Sequence, residues 1–216
     1  MDYQSRPRVS AEKSARDRLI RLAARHPDWV LGFADETWWS RLAQPTLRTW
    51  VETDQVLRLV EPTVAKDDPD PKALACYGLL RTDTNTIWLR FVDGRPSSAI
   101  TTQFLAWVGA RLEAEGKTAL LLIWDNASWH VSREVRQWLR EHHRQVKHTG
   151  KGVRILPCFL PIKSPWLNNI EPHWVHGKRN VVEPDRLLPA RELADRVCAH
   201  FGCAHDDHLT IPGKVA

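Results

Sequence analysis

Residues 120–124, Leu-Leu-Leu-Ile-Trp, run straight into Asp125 and then into a turn. Five apolar residues with no polar break do not alternate between core and solvent, so the segment reads as a strand buried on both faces. Its final carboxylate is the constraint. A charge buried without a partner costs several kcal/mol, so Asp125 must sit at the rim of the sheet in water or face another charge.

The flanking segments supply the rest of a sheet and its cover. Residues 10–27 read as a helix with a possible cap at Ser10, Ala15, Leu19, Leu22 and Ala23 on one face, and a stop at Pro27. "DWVLGFADET" follows as a short apolar strand that ends in Asp35 and Glu36, a second buried strand terminating in acid. Residues 37–71 read as an insertion or hairpin, since "EPTVAKDDPDP" has the Pro and Asp content of a loop. Two β-like runs broken at Asp83 to Asn85 predict a hairpin. A helix with Ile100, Phe104, Trp107, Val108 and Leu112 on one face ends at Gly116. Beyond Asp125, Ser132 can cap a helix with Val135, Trp138, Leu139 and His142 on one side, and "GVRILPCFLP" is a strand cut by Pro157. Pro172 places Glu171 at or just before a helix N-terminus, and Pro189 opens a last helix bearing Leu193, Val197 and Phe201. Three strands followed by alternating helix and strand imply a mixed sheet with helices on both faces. The domain reading is an N-terminal helix in 1–28, an α/β domain over 29–202 and a polar tail over 203–216.

Composition limits the function. No stretch of about 18 uncharged apolar residues and no secretory leader is present, so a cytosolic protein without membrane contact is expected. Cys76, Cys158, Cys198 and Cys203 are read as free thiols. "CAHFGCAHDDH" could be imagined as a zinc site, but it has no CxxC pair, and the plainer reading is a helix end followed by a polar tail. The net charge of +5 is unevenly placed. Residues 129–191 hold twelve Lys/Arg against five Asp/Glu, which suits one face meeting a polyanion.

Two acids therefore end apolar strands, Asp35 and Asp125, and a third, Glu171, starts a helix. If the two strands are adjacent, their carboxylates can meet where sites gather in open α/β sheets. Like charges so placed call for a cation, and hard oxygen ligands select Mg²⁺ or Mn²⁺. The plainer alternatives are an Asx turn for Asp125, a helix-dipole contact for Glu171 and a rim position for Asp35.

"FADET", "WDNASWH" and "SPWLNNIEPHW" together, in this order, resemble the three motifs of the DDE transposases of the IS630/Tc1-mariner superfamily, most closely the bacterial IS630 type. The resemblance runs from about Trp29 to Phe201. It implies an RNase H-like fold with a mixed five-stranded sheet, the first strand beside the fourth. It implies that Asp35, Asp125 and Glu171 are catalytic and hold two Mg²⁺ or Mn²⁺ ions. Asn126 and His130 belong to the second motif and Asn168 to the third, as supports for the acids. Arg154, Lys163, Lys178 and Arg179 are candidates for phosphate contacts, and Trp166 or Trp174 for stacking on splayed bases, with core packing the plainer reading of both tryptophans.

The implied reaction is hydrolysis at a transposon end followed by attack of the freed 3′-hydroxyl on target DNA. The implied partners are double-stranded DNA, both ends and target, and a second copy of the chain, on the bacterial nucleoid. Two departures from the family pattern are visible. Asn169 stands where close relatives usually have proline, and the 45 residues between Asp125 and Glu171 exceed the usual spacing, with the surplus expected in a basic loop, "HHRQVKHTGKG". Only about 27 residues precede the first strand, so the helix-turn-helix modules of the family are expected on a separately encoded segment. The competing expectation is a non-catalytic remnant that binds DNA or full-length transposase and modulates it.

Overall fold

A computed structural model describes residues 7–42, 64–181 and 186–211. Its element order is α1 (Pro7–Ala23), β1 (Trp29–Ser40), β2 (Ala73–Arg81), β3 (Thr86–Val92), α2 (Ser98–Ala114), β4 (Ala119–Trp124), α3 (Arg133–Thr149), β5 (Arg154–Phe159), α4 (Glu171–Val181) and α5 (Ala190–Phe201). The five strands form one sheet in the order β3-β2-β1-β4-β5. β1, β2 and β3 are antiparallel, whereas β4 runs parallel to both β1 and β5. This is the mixed five-stranded sheet of the expected RNase H-like fold, with the first strand beside the fourth.

Side-chain parity divides the core in two. Leu31 and Phe33 of β1 and Leu121 and Ile123 of β4 face α4 and α5, packing with Ile170, Trp174, Leu193 and Val197. Val30, Ala34, Leu120, Leu122 and Trp124 face α2 and α3, packing with Ile100, Phe104, Val108, Val135 and Leu139. All six residues of β4 are buried. Ser97 and Ser132 cap α2 and α3 by accepting from the N–H groups of Ile100 and Val135.

Several local expectations need correction. Ser10 lies inside α1, which begins at Pro7, the residue type that tolerates a first helical position because its missing N–H would have no partner there. β1 does not end at Asp35 and Glu36 but continues to Ser40, because Trp38, Trp39 and Ser40 still pair with Ala75, Leu74 and Ala73. The insertion expected from residue 37 thus starts later, and its residues 43–63 lie outside the described residues. Pro157 does not cut β5, which is an edge strand, so a missing N–H on its outer side costs no ladder bond. The basic stretch expected as a loop is instead the last turns of α3, closed by Gly150 at φ +66°.

Candidate active site

β1 and β4 are parallel neighbours whose last paired residues are Phe33 and Ile123. Asp35 and Asp125 each lie two residues further along, so they share the parity of that pair and face the α4–α5 side. Glu171 is the first residue of α4 on the same side. The three acids of the three motifs thus occupy one end of the sheet, at the C-terminal ends of parallel strands, where such folds place their sites.

Each carboxylate is held differently. Asp35 accepts a hydrogen bond from the indole Nε1 of Trp174 at 2.9 Å. Burial, followed by the charges of Glu171, Glu36 and Asp125, pushes its pKa up to about 8 despite that bond. Asp125 directly follows β4 with its side chain about half exposed, accepting from the Ala127 N–H at 2.9 Å and lying 2.8 Å from Nδ1 of His130. Burial opposes ionisation, yet these two donors hold Asp125 below the ordinary carboxylate range. The partial burial of Glu171 raises its pKa, with Lys178 opposing and Asp125 adding to the rise. The Asx turn considered for Asp125 is therefore present, and the same carboxylate also belongs to the acid cluster.

His130 is the structural centre of this end. Its side chain is 1% exposed and lies between Asp125 and Glu36, with Nε2 2.6 Å from Glu36 Oε1. Its ring stacks on Trp124 at 4.3 Å between centroids. Burial disfavours the imidazolium, but the hydrogen bonds and charges of Asp125 and Glu36 outweigh it and push the pKa up to about 9. Glu36 also accepts from Trp129 Nε1 at 3.1 Å.

Asn126 Nδ2 donates to Leu160 O, and Asn168 Nδ2 donates to Ala34 O at 3.0 Å, tying the loop between β5 and α4 to β4 and β1. That loop and Asp125 enclose a cleft of about 270 Å³ lined by Asp125, Asn126, Lys163, Ser164, Asn168 and Glu171. Ser164 Oγ and Asn168 Oδ1 are buried there without a hydrogen-bond partner among the described residues.

The structure brings together Asp35, Asp125, Glu171, Asn126, His130, Asn168 and Lys163. Lys163 adopts φ +58°, a left-handed conformation unusual for a side-chain-bearing residue, on the rim of the cleft. Trp166 is 53% exposed in the adjoining 3-10 turn, and Lys178 and Arg179 are exposed in the last turn of α4. Arg154 does not join them. It is the first residue of β5, paired with Ala119, so about 20 Å of strand separates it from Asp125. Nor does the basic excess form one face. Arg133, Arg136, Arg140, Arg144 and Lys147 are exposed on α3, across the sheet from α4.

Glu36, Trp129 and Gly78 lie outside the residues that the sequence marks as parts of the site, and Trp174, a candidate for base stacking, is instead 2% exposed with its indole on Asp35. Consecutive acids on a strand point to opposite faces, so "DE" in a buried strand signals two separate charge sites, and that signal was available. Gly78 pairs directly with Asp35, and a Cβ there would stand 2.3 Å from the ring of Trp174. Only glycine leaves room for the indole that reaches Asp35.

The donor set fits a hard divalent cation: three carboxylates in mutual electrostatic contact, two of them with raised pKa, beside buried oxygens lacking partners. Among the described residues, however, no three His, Cys, Asp or Glu side chains are already gathered around a common ion position.

An RNase H-like sheet with acids at this end and on an adjoining helix defines a class of nucleic-acid cutting and joining domains. A family model described as DDE superfamily endonuclease matches residues 30–193, and the chain belongs to that family. Its fold is similar to the catalytic domain of Mos1 mariner transposase, with TM-score 0.56 and 16% identity over 97% of this chain and 88% of that one. Mos1 transposase in a paired-end complex with the left transposon end gives TM-score 0.59 and 16% identity over 92% of this chain. The Mos1 paired-end complex with Mn gives 0.58 and 16% over 88% of this chain and 54% of that one. The chain spans about 55% of the length of the transposase in the first of these complexes. No match was found among curated protein sequences.

Proposed function

We propose that this chain is the catalytic domain of a DNA transposase of the IS630 type, cutting DNA at transposon ends and joining the freed 3′-hydroxyl to target DNA. The observation that supports the reading is the position of Asp35 on β1 and of Asp125 directly after its parallel neighbour β4, each two residues past the last paired residue, with Glu171 opening α4 on the same side. Asp35, Asp125 and Glu171 would hold two Mg²⁺ or Mn²⁺ ions, which when bound activate the attacking oxygen and stabilise the leaving one in an in-line displacement.

The protein's own part is positioning. His130 fixes the orientation of Asp125, and Trp174 does the same for Asp35. Asn168 and Asn126 hold the cleft loop against the strand ends, so that Lys163 meets a phosphate next to the acids. Lys178, Arg179 and exposed Trp166 extend the same surface for backbone contact and base stacking.

The reading pairs the domain with double-stranded DNA, a second copy of the chain and a helix-turn-helix segment that reads the ends, on the bacterial nucleoid. No helix among the described residues is long and apolar enough to cross a membrane. The three acids, each in its motif, disfavour a non-catalytic remnant. The test is an assay of nicking and strand joining on end-bearing duplexes: products with Mg²⁺ or Mn²⁺ and none with Ca²⁺, whose looser coordination suits in-line transfer poorly, are expected. Joining that proceeds equally in chelator would refute the reading.

A further inference from the structure

The segment after α5, expected as a polar tail, is docked. Leu209 is 4% exposed and bridges in parallel to Val92 at the end of β3. Its N–H donates to Phe91 O at 2.8 Å, and its carbonyl accepts from Asp93 N–H at 2.9 Å. Gln103 of α2 donates to Thr210 O at 2.8 Å.

His205 and His208 lie on this docked segment, both packed against Phe91. Nδ1 of His205 is 2.6 Å from Asp195 Oδ1 on α5, and Nδ1 of His208 is 2.7 Å from Asp93 Oδ1 just after β3. An ionised carboxylate only accepts, so each Nδ1 carries a proton and donates it. In neutral imidazoles this leaves both Nε2 atoms as bare lone pairs, and the two nitrogens stand 3.3 Å apart. Two lone pairs so placed repel unless an electron-poor centre, a proton or a metal ion, bridges them.

From this geometry we infer that His205 and His208 form a two-histidine site for a transition-metal dication, with Zn²⁺ the best fit. Two nitrogens bound at about 2.0–2.1 Å to a tetrahedral ion stand about 3.4 Å apart, whereas neighbouring positions of an octahedral or square-planar ion bring them to about 2.9 Å. A carboxylate behind each imidazole is the arrangement that fixes the tautomer and raises the basicity of metal-binding histidines. Imidazole selects Zn²⁺ over the hard cations suited to the acid cluster. The two side chains are 24% and 25% exposed, so an ion reaches them from solvent. Among the described residues no third His, Cys, Asp or Glu completes a three-ligand group, so water fills the remaining positions and binding is weaker than at a closed structural site. The bound ion would pin the docked segment between α5 and the end of β3, independently of any reaction at the acids.

The experiment is Zn²⁺ binding by equilibrium dialysis and thermal unfolding of the full chain. Saturating Mg²⁺ fills the acid cluster, and a Cys203→Ser background removes the half-exposed thiol nearby. One Zn²⁺ per chain and a rise in Tm are expected. The double variant His205→Ala/His208→Ala should lose at least about tenfold in affinity, roughly 1.4 kcal/mol. Because alanine also removes the contacts to Asp195 and Asp93, His205→Asn and His208→Asn, whose amide stands where Nδ1 does and can still donate to the carboxylate, are measured alongside, each expected to weaken Zn²⁺ binding while leaving the Mg²⁺ response unchanged. Co²⁺ should give the visible absorption of a tetrahedral site in the parent and not in the double variant. Parent-like Zn²⁺ affinity in the double variant, or no Zn²⁺ uptake by the parent, would overturn the inference.

Discussion

Asp35 and Gly78 face each other across β1 and β2, and the space above the glycine is filled by the Trp174 ring that donates to Asp35. Gly78→Ala should therefore force the indole aside, costing about 1–3 kcal/mol in denaturant unfolding as overpacking does. It should also lower metal-dependent cleavage; a Gly78→Ala protein with parent stability would show that the ring does not depend on that space. The proton on Asp35 gives a pH test. Its pKa of about 8 lies above the ordinary value of about 3.9, so the native state binds the proton more tightly than the unfolded chain does. That contribution to stability is complete below about pH 3.9 and is lost as pH rises through about 8. A cation that takes the place of the proton should stabilise more as pH rises, so the Tm increment from Mg²⁺ should grow between about pH 6 and pH 9 and flatten in Asp35→Asn. An increment independent of pH would place metal binding elsewhere.

At the scale of elements, the turn after β4 and the loop before α4 carry the site on a rigid sheet. His130 sits between the exposed Asp125 and the buried Glu36, whose side chain is 7% exposed. Removing the imidazole leaves Glu36 buried without its cationic partner, so His130→Ala should destabilise by about 3–5 kcal/mol, read by chemical denaturation. A loss under about 1 kcal/mol would mean that water replaces the ring. Lys163 offers the opposite test. Its φ of +58° costs a side-chain-bearing residue about 1–3 kcal/mol, so Lys163→Gly should leave the fold as stable or more so while weakening DNA binding. What was legible in the sequence follows the same division. While the place of the first strand beside the fourth followed from the family resemblance, the order of elements along the chain and the helix faces could be read because buried strands and periodicity are local signals. β1 running past Asp35 could not, since its last residues are kept extended by pairing with β2, nor could the Gly78–Trp174 fit, which joins residues far apart in the chain. The basic stretch after His142 looked like a loop because its charges and glycines are prominent, whereas its periodicity continues that of α3.

For the whole molecule, phosphate contacts should be confined to the end of the sheet that carries the acids. Neutralising Lys178 and Arg179 should flatten the dependence of log K on log salt by up to about two units, while Arg154→Ala, at the far end of β5, should leave it unchanged. An equal effect from Arg154 would mean that DNA crosses the sheet. The central claim is that Asp35, Asp125 and Glu171 act together on DNA. Nicking of a supercoiled plasmid in Mg²⁺ by the parent and by Asp35→Asn, Asp125→Asn and Glu171→Gln, each confirmed folded by its unfolding transition, tests it most directly. Each substitution keeps the size of the side chain and removes only its charge, so all three variants should fall to the level seen in chelator. Nicking by any of them at the rate of the parent would contradict the assignment of that residue.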